Sequence, residues 1–139
     1  MILLRKSDYA KMLAHGLQEK PDEACGLLGG TVDGEIRRVE AVYLLENEDH
    51  SPEHFTMSPM AQLKAVQDMR RQGLRPLGNF HTHPATPSRP SEEDRRLALD
   101  PEASYLILSL MDEENPVLNS FRIRQQISEP EPLQLVEDD

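Results

Sequence analysis

His81, His83, Ser91 and Asp94 lie close together in the string NFHTHPATPSRPSEED, and their side chains suit chemistry. The two histidines sit two apart at the end of an apolar run, Leu77 to Phe80. In a strand, residues i and i+2 point to the same face, so both imidazoles are expected side by side. Pro84, Pro87 and Pro90 follow and bar a continuing helix or a central strand. A helix is expected to start at Ser91, with Asp94 in its first turn, where it can face back toward the histidines. Ser91-Glu92-Glu93-Asp94 also fits a capping box, with Ser91 as N-cap and an acid at N3. Two imidazoles and one carboxylate converging on a point make a three-ligand zinc site with a fourth position open. That is the catalytic pattern, because structural zinc sites are normally closed by four protein ligands.

The whole spacing, His-x-His-x7-Ser-x2-Asp, resembles the signature of the JAMM (MPN-plus) zinc metalloprotease family. That family also places a glutamate upstream, in a Pro-x-Glu-x-Cys-Gly-x-Leu-x-Gly type of segment. This chain has Pro21-Asp22-Glu23-Ala24-Cys25-Gly26-Leu27-Leu28-Gly29. The resemblance covers about residues 1–125 and touches every motif residue. It implies one Zn2+ per chain on His81, His83 and Asp94, with a water as fourth ligand. It assigns proton transfer between that water and the leaving amine to Glu23, which composition alone would read as a solvated acid at a helix-to-strand corner. It gives Ser91 the stabilisation of the tetrahedral oxyanion, a role compatible with capping because a hydroxyl both donates and accepts. The eukaryotic deubiquitinases of the family carry insertions that grip ubiquitin, and this chain has little room for them. It is similar to the small stand-alone bacterial type, linked to ubiquitin-like sulfur-carrier proteins of the β-grasp fold. The implied reaction is cleavage of an amide bond after the C-terminal Gly-Gly of such a carrier or its conjugates. The competing reading is a non-catalytic MPN-type binding module for a β-grasp partner. A zinc deaminase would need a Pro-Cys-x-x-Cys pair, and the chain has a single cysteine.

The elements that must position these groups can be read in order. Ile2 to Leu4 begins a strand; Ser7 is a candidate N-cap for a helix running to about Lys20, where Pro21 ends it. Ala24 to Leu28 reads as a buried strand with Gly29-Gly30 as a turn, and Cys25 as a small buried hydrophobe. Asp33-Gly34 is a hairpin signal, and Arg37 to Leu45 continues as strand. Residues 47–53 form a loop, with His50 and His54 beside it read as exposed or, alternatively, as substrate contacts. Phe55 to Met57 reads as a short strand. Ser58 caps the next helix, Pro59 opens it and Gly73 ends it, with Leu63, Val66 and Met69 on one side. Leu77 to His83 is the ligand strand, in which Thr82 faces away from the histidines; Asn79 and Thr82 read as structural. Tyr105 to Met111 is nearly all apolar and reads as a central strand buried on both faces. Leu118 to Arg124 is a partly exposed strand. From residue 127 the chain is acidic and proline-containing and reads as a disordered tail on a metalloprotease domain of residues 1–126. The mixture of strands and helices without regular alternation gives an α+β, mixed α/β layered domain. The resemblance adds a curved, mostly antiparallel β-sheet with helices packed on it.

Composition narrows the function class. At 139 residues, 37% hydrophobic and 29% charged, one globular domain with a real core is expected. With no Trp, the core must come from Leu, Ile, Val, Met and Ala. A single cysteine excludes an internal disulfide framework and fits a reducing cytoplasm. The start MILLRKSDY does not read as a signal peptide, and no apolar run reaches membrane-spanning length. A net charge of −10 argues against a nucleic-acid backbone as partner and fits a partner with a basic surface.

Overall fold

The computed structural model describes residues 1–138. Its strands are β1 (Ile2–Arg5), β2 (Cys25–Asp33), β3 (Ile36–Leu45), β4 (Arg75–His83), β5 (Ser104–Ser109), β6 (Val117–Arg124), β7 (Ile127–Glu131) and β8 (Leu133–Val136). The helices are α1 (Lys6–Glu19), α2 (Pro59–Arg71) and α3 (Glu92–Leu97). All eight strands form one sheet in the order β7-β6-β5-β4-β2-β3-β1-β8. The pairings β2–β3, β2–β4, β5–β6 and β6–β7 are antiparallel; β1–β3, β1–β8 and β4–β5 are parallel. This is the expected α+β layered domain with a curved sheet. No helix among the described residues is long and apolar enough to cross a membrane.

The tail departs from expectation. Residues 127–131 pair with β6, and residues 133–136 pair with β1 at the far end of the sheet. Only Pro132 separates the two strands, and its carbonyl accepts from Ile2 N–H at 2.8 Å. A gap of one residue spans only about 7 Å. The two ends of the sheet are therefore neighbours, and the tail closes a curl that is nearly a barrel. Acids and prolines in the tail suggest disorder, but its apolar Leu133 and Leu135 pack on the core and order it. Glu131 is buried, and its carboxylate accepts from Ser120 Oγ at 2.8 Å.

The main core gathers Ile2, Leu4, Met12, Leu28, Phe80 and Leu106 with their neighbours inside the curl. A smaller cluster, Ile107, Phe121 and Ile123, lies on the other face. β5 contributes to both, which is why Leu106, Ile107 and Leu108 are all fully buried. Gly29-Gly30 is mid-strand, not a turn. A Cβ on Gly30 would lie 1.9 Å from the Arg38 carbonyl oxygen, so a register shift in β2 sits at this point and only glycine fits. Gly29 lets Met69 of α2 press onto the strand, and on that helix Ala65 and Met69 are buried while Leu63 is half exposed. Ser58 caps α2 as expected, accepting from Ala61 N–H. Ser7 does not cap α1. It lies in the first turn, and its N–H donates to the Asp138 carboxylate, so the tail supplies the acceptor. Phe55 to Met57 is irregular, because it packs across the mouth of the site instead of joining the sheet.

Candidate metal centre and catalytic cleft

β4 places His81 and His83 on one face, as its period of two requires. Both are buried, and Thr82 points the opposite way. The proline-rich loop after β4 is pinned to β5 and β6. Ser88 Oγ donates to the Ile107 carbonyl, Ser109 Oγ to the Thr86 carbonyl and Asn119 Nδ2 to the Ser88 carbonyl. The loop returns the Pro87 carbonyl to 2.9 Å from His83 Nδ1. A carbonyl only accepts, so His83 carries its proton on Nδ1 and turns an Nε2 lone pair toward the centre.

Beyond the loop, α3 opens with the expected capping box. Asp94 N–H donates to Ser91 Oγ at 3.0 Å, and Ser91 N–H donates to Asp94 Oδ2 at 2.9 Å. The same Oδ2 lies 3.2 Å from His81 Nε2 and 3.1 Å from His83 Nε2, and the two Nε2 atoms are 3.1 Å apart. Three candidate ligand atoms thus form a nearly equilateral triangle. Ligands about 2.0 Å from a tetrahedral ion are separated by roughly 3.3 Å, so the triangle is close to a zinc-sized set. When His83 is neutral, two acceptors, its Nε2 lone pair and a carboxylate oxygen, face each other at hydrogen-bonding distance, a conflict that protonation of His83 relieves in the absence of an ion. A cation between them removes that conflict, so the donor set fits a metal. Phe55 stacks on His81 with ring centroids 4.7 Å apart and holds the imidazole plane.

The electrostatics follow from burial. Burial raises the Asp94 carboxyl, but its bonds to His81 and His83 outweigh that and hold it well below the usual carboxylate range. Burial lowers His81 more than Asp94 raises it. For His83 burial acts downward too, but Asp94 and the Pro87 carbonyl prevail, and its net shift is upward.

Glu23 lies at the corner between α1 and β2. Its N–H donates to the Ser51 carbonyl and its own carbonyl accepts from Asn47 Nδ2. The residue is 5% exposed, and its side chain lines the cleft beside His83 and Ser91 and has an Oε1 with no hydrogen-bond partner. Burial, opposed by His83 and reinforced by Asp94, pushes its pKa up to about 8. Cys25 is fully buried and its thiol is pushed up to about 12 by burial, so it is packing and not a thiolate. His50 is exposed.

The structure gathers all five sequence-derived site residues where two clefts meet, one lined by His81 and Asp94 and the other by Glu23, His83 and Ser91. Sequence reading missed three features. Phe55 stacks on His81. His54, though exposed, reaches across to Glu93 of α3 at 2.8 Å. Asn79, on the ligand face of β4, lines the cleft with a buried, unpartnered Oδ1. The period-two pattern through residues 79, 81 and 83 could have flagged Asn79; nothing local could have flagged the other two.

Comparison with known proteins identifies relatives of the chain. The chain is 32% identical over 137 residues to the CysO-cysteine peptidase of Mycobacterium tuberculosis, an alignment covering 99% of this chain and 92% of that one. It is 40% identical over 82 residues to a probable TtuB-protein conjugate cleaving protease of Thermus thermophilus, covering 58% and 52%. A solved structure of a protein from Desulfitobacterium hafniense superposes with a TM-score of 0.92 at 56% identity, covering 99% and 94%. Residues 5–124 match the family described as prokaryotic homologs of the JAB domain, and the chain belongs to that family.

Proposed function

We propose that this chain is a zinc-dependent peptidase that cleaves the amide bond after the C-terminal Gly-Gly of a ubiquitin-like sulfur-carrier protein or its conjugates. The observation that carries the reading is the convergence of three ligand atoms, about 3.1–3.2 Å apart, beside the buried and unpartnered Glu23 carboxyl. His81, His83 and Asp94 would hold the ion. Zinc held there would supply Lewis acidity and lower the pKa of its water from 15.7 to about 7.

Glu23 is the base and then the acid. It takes a proton from the attacking water and delivers it to the leaving nitrogen, a role suited to a carboxyl tuned upward by burial. Ser91 Oγ accepts from Asp94 N–H, which leaves its own hydrogen free to donate to the carbonyl oxygen as charge develops there. The His54–Glu93 bridge ties the loop before α2 to α3, so a chain crossing the centre runs in a confined passage. Glycines next to the scissile bond fit it best, because they have no Cβ. The names of the Mycobacterium and Thermus relatives support a carrier or its conjugate as substrate. A binding module would have no use for a buried, unpartnered carboxyl beside an open metal position, and this favours the enzyme over a scaffold.

The test pairs metal content with cleavage. Protein purified without added zinc should carry about one zinc per chain, and His81→Ala, His83→Ala and Asp94→Ala should each lose tight binding. Glu23→Gln should keep zinc and lose roughly 10²–10⁴-fold in rate; Ser91→Ala should keep zinc and lose on the order of 10²-fold. Products from a carrier extended beyond Gly-Gly are weighed by mass spectrometry. Full zinc occupancy in the three ligand variants, or wild-type rates in Glu23→Gln, would refute the assignment.

A further inference from the structure

Asn79 stands on the same face of β4 as His81 and His83, two residues before His81. Its Oδ1 is buried and has no hydrogen-bond partner among the described residues. An unpaired buried oxygen costs stability, and an apolar side chain would avoid that cost. The cleft that Asn79 lines has a volume of about 210 Å³. Most of its wall is apolar: Phe55, Met57, Leu97, Tyr105, Ile107 and Ile123. The Tyr105 hydroxyl is engaged by the Asp100 backbone, and His54 at the mouth by Glu93. Among the described residues, Asn79 is the neutral polar side chain of this cleft that lacks a partner.

This cleft runs up to His81 and Asp94, whereas Glu23, His83 and Ser91 line the neighbouring one. In the hydrolysis proposed above, Glu23 hands a proton to the leaving nitrogen, so the leaving group lies on the Glu23 side. The acyl side, a tail ending in Gly-Gly, then lies over His81 and Asn79. β4 is paired on both edges, with Asn79 opposite Leu27 and Tyr105, so a tail cannot join the sheet there. Its backbone N–H and C=O groups need side-chain partners instead. A carboxamide carries both an acceptor and donors, so it can match a peptide backbone. No hydrogen bond holds the Asn79 oxygen, so the amide is free to turn about χ2 and present either end. Two residues along a strand and two along an extended tail both span about 6–7 Å. With the scissile carbonyl at the His81–Asp94 end, Asn79 therefore meets the residue that precedes Gly-Gly.

We propose that Asn79 is a specificity residue: its amide bonds the backbone of the tail residue preceding Gly-Gly, whose apolar side chain fills the adjoining cleft. The inference rests on the proposed peptidase reading, and its test has a readout that does not depend on turnover. Because Oδ1 has no partner to lose, Asn79→Leu should fold at least as stably as wild type and hold zinc equally well.

Short peptides ending in X-Gly-Gly are joined through an amide to aminomethylcoumarin, with Ala, Leu, Phe, Asp or Lys at X. In a further Leu peptide an ester oxygen replaces the backbone N–H of X. Zinc-loaded wild type, Asn79→Ala and Asn79→Leu are compared. In wild type kcat/KM should favour Leu and Phe over Asp and Lys by about tenfold or more. The ester should cost wild type about three- to tenfold and the two variants little. The variants should lose through KM, with kcat kept. The same peptides with a free Gly-Gly carboxylate are titrated by NMR into the three proteins. They should shift the side-chain NH2 signals of Asn79, and the ester should weaken binding in wild type alone. Cleavage that ignores X, or an ester cost equal in wild type and variants, sinks this inference and leaves the peptidase reading standing. Asn79-dependent binding without zinc-dependent cleavage of any Gly-Gly amide supports the tail site and removes the peptidase reading. Shifts confined to Glu23, Ser91 and Arg96 would place the tail in the other cleft and overturn the proposal.

Discussion

Asp94 shows how one atom can serve two purposes. Its Oδ2 completes a helix cap and also sits at the apex facing both histidines. The cap that the sequence predicts at Ser91 to Asp94 is formed, and its geometry leaves the same oxygen available to the proposed metal. Glu23 is the opposite case, a carboxyl whose only local role is unfavourable. Its pKa in the metal-free fold is about 8 against an ordinary 4.5, so between those values the native state binds more protons than the unfolded chain. Stability from this group is present below about pH 4.5 and falls as pH rises toward 8. Removing the charge should remove the fall. Metal-stripped Glu23→Gln, compared with metal-stripped wild type by urea unfolding at several pH values, should gain up to about 2–4 kcal/mol at the alkaline end. Parallel pH profiles for the two proteins would mean that the carboxyl is not held in a desolvated place.

β4 is the element on which the site depends, and it uses both faces. His81 and His83 look into the cleft, while Thr82 is locked to the residue after Glu23. Thr82 N–H donates to the Ala24 carbonyl at 2.9 Å, and Ala24 N–H donates to Thr82 Oγ1 at 2.8 Å. Behind it, Gly16 lets α1 approach; a Cβ there would lie 2.9 Å from Thr82 Cγ2. Glu23 and the two histidines are thereby held in one frame through a side chain that touches neither. Thr82→Val preserves shape and strands a buried N–H, so about 1–3 kcal/mol of stability should be lost. Zinc content should stay near wild type while kcat falls, and Thr82→Ser should restore much of it. Normal kcat in a folded Thr82→Val protein would show that Glu23 is placed without this bond.

At the scale of the whole molecule, the last strands determine whether the sheet is open or closed. β8 covers β1, whose Ile2 and Leu4 are fully buried, and Asp138 accepts from Ser7 at the start of α1. Deleting the chain after Gln126 would uncover both ends of the sheet and remove Leu133 and Leu135 from the core. Exposing that much apolar surface at about 25 cal/mol per Å² should lower stability by several kcal/mol. In a domain of this size that is a fall in Tm of roughly 10 °C or more, read by circular dichroism. An unchanged Tm would mean that the tail adds nothing to the closed sheet.

The sequence by itself determined the parts of this protein whose rules are local. The strand period put His81 and His83 on one face, Ser91 to Asp94 wrote their own cap, and the apolar run around Leu106 to Leu108 required burial on both sides. The resemblance of two short motifs then pointed to Glu23, whose own surroundings in the chain marked it as solvated. Only the tertiary structure decided what depends on distant segments. Gly29-Gly30 became mid-strand because β3 and α2 press against it, and the acidic tail became two strands because the curled sheet presented it with two open edges. Glu23 became buried because the loop of Asn47 and Ser51 closes over it. Desolvation, register and edge pairing are properties of neighbours brought together by folding, so no window of sequence contains them.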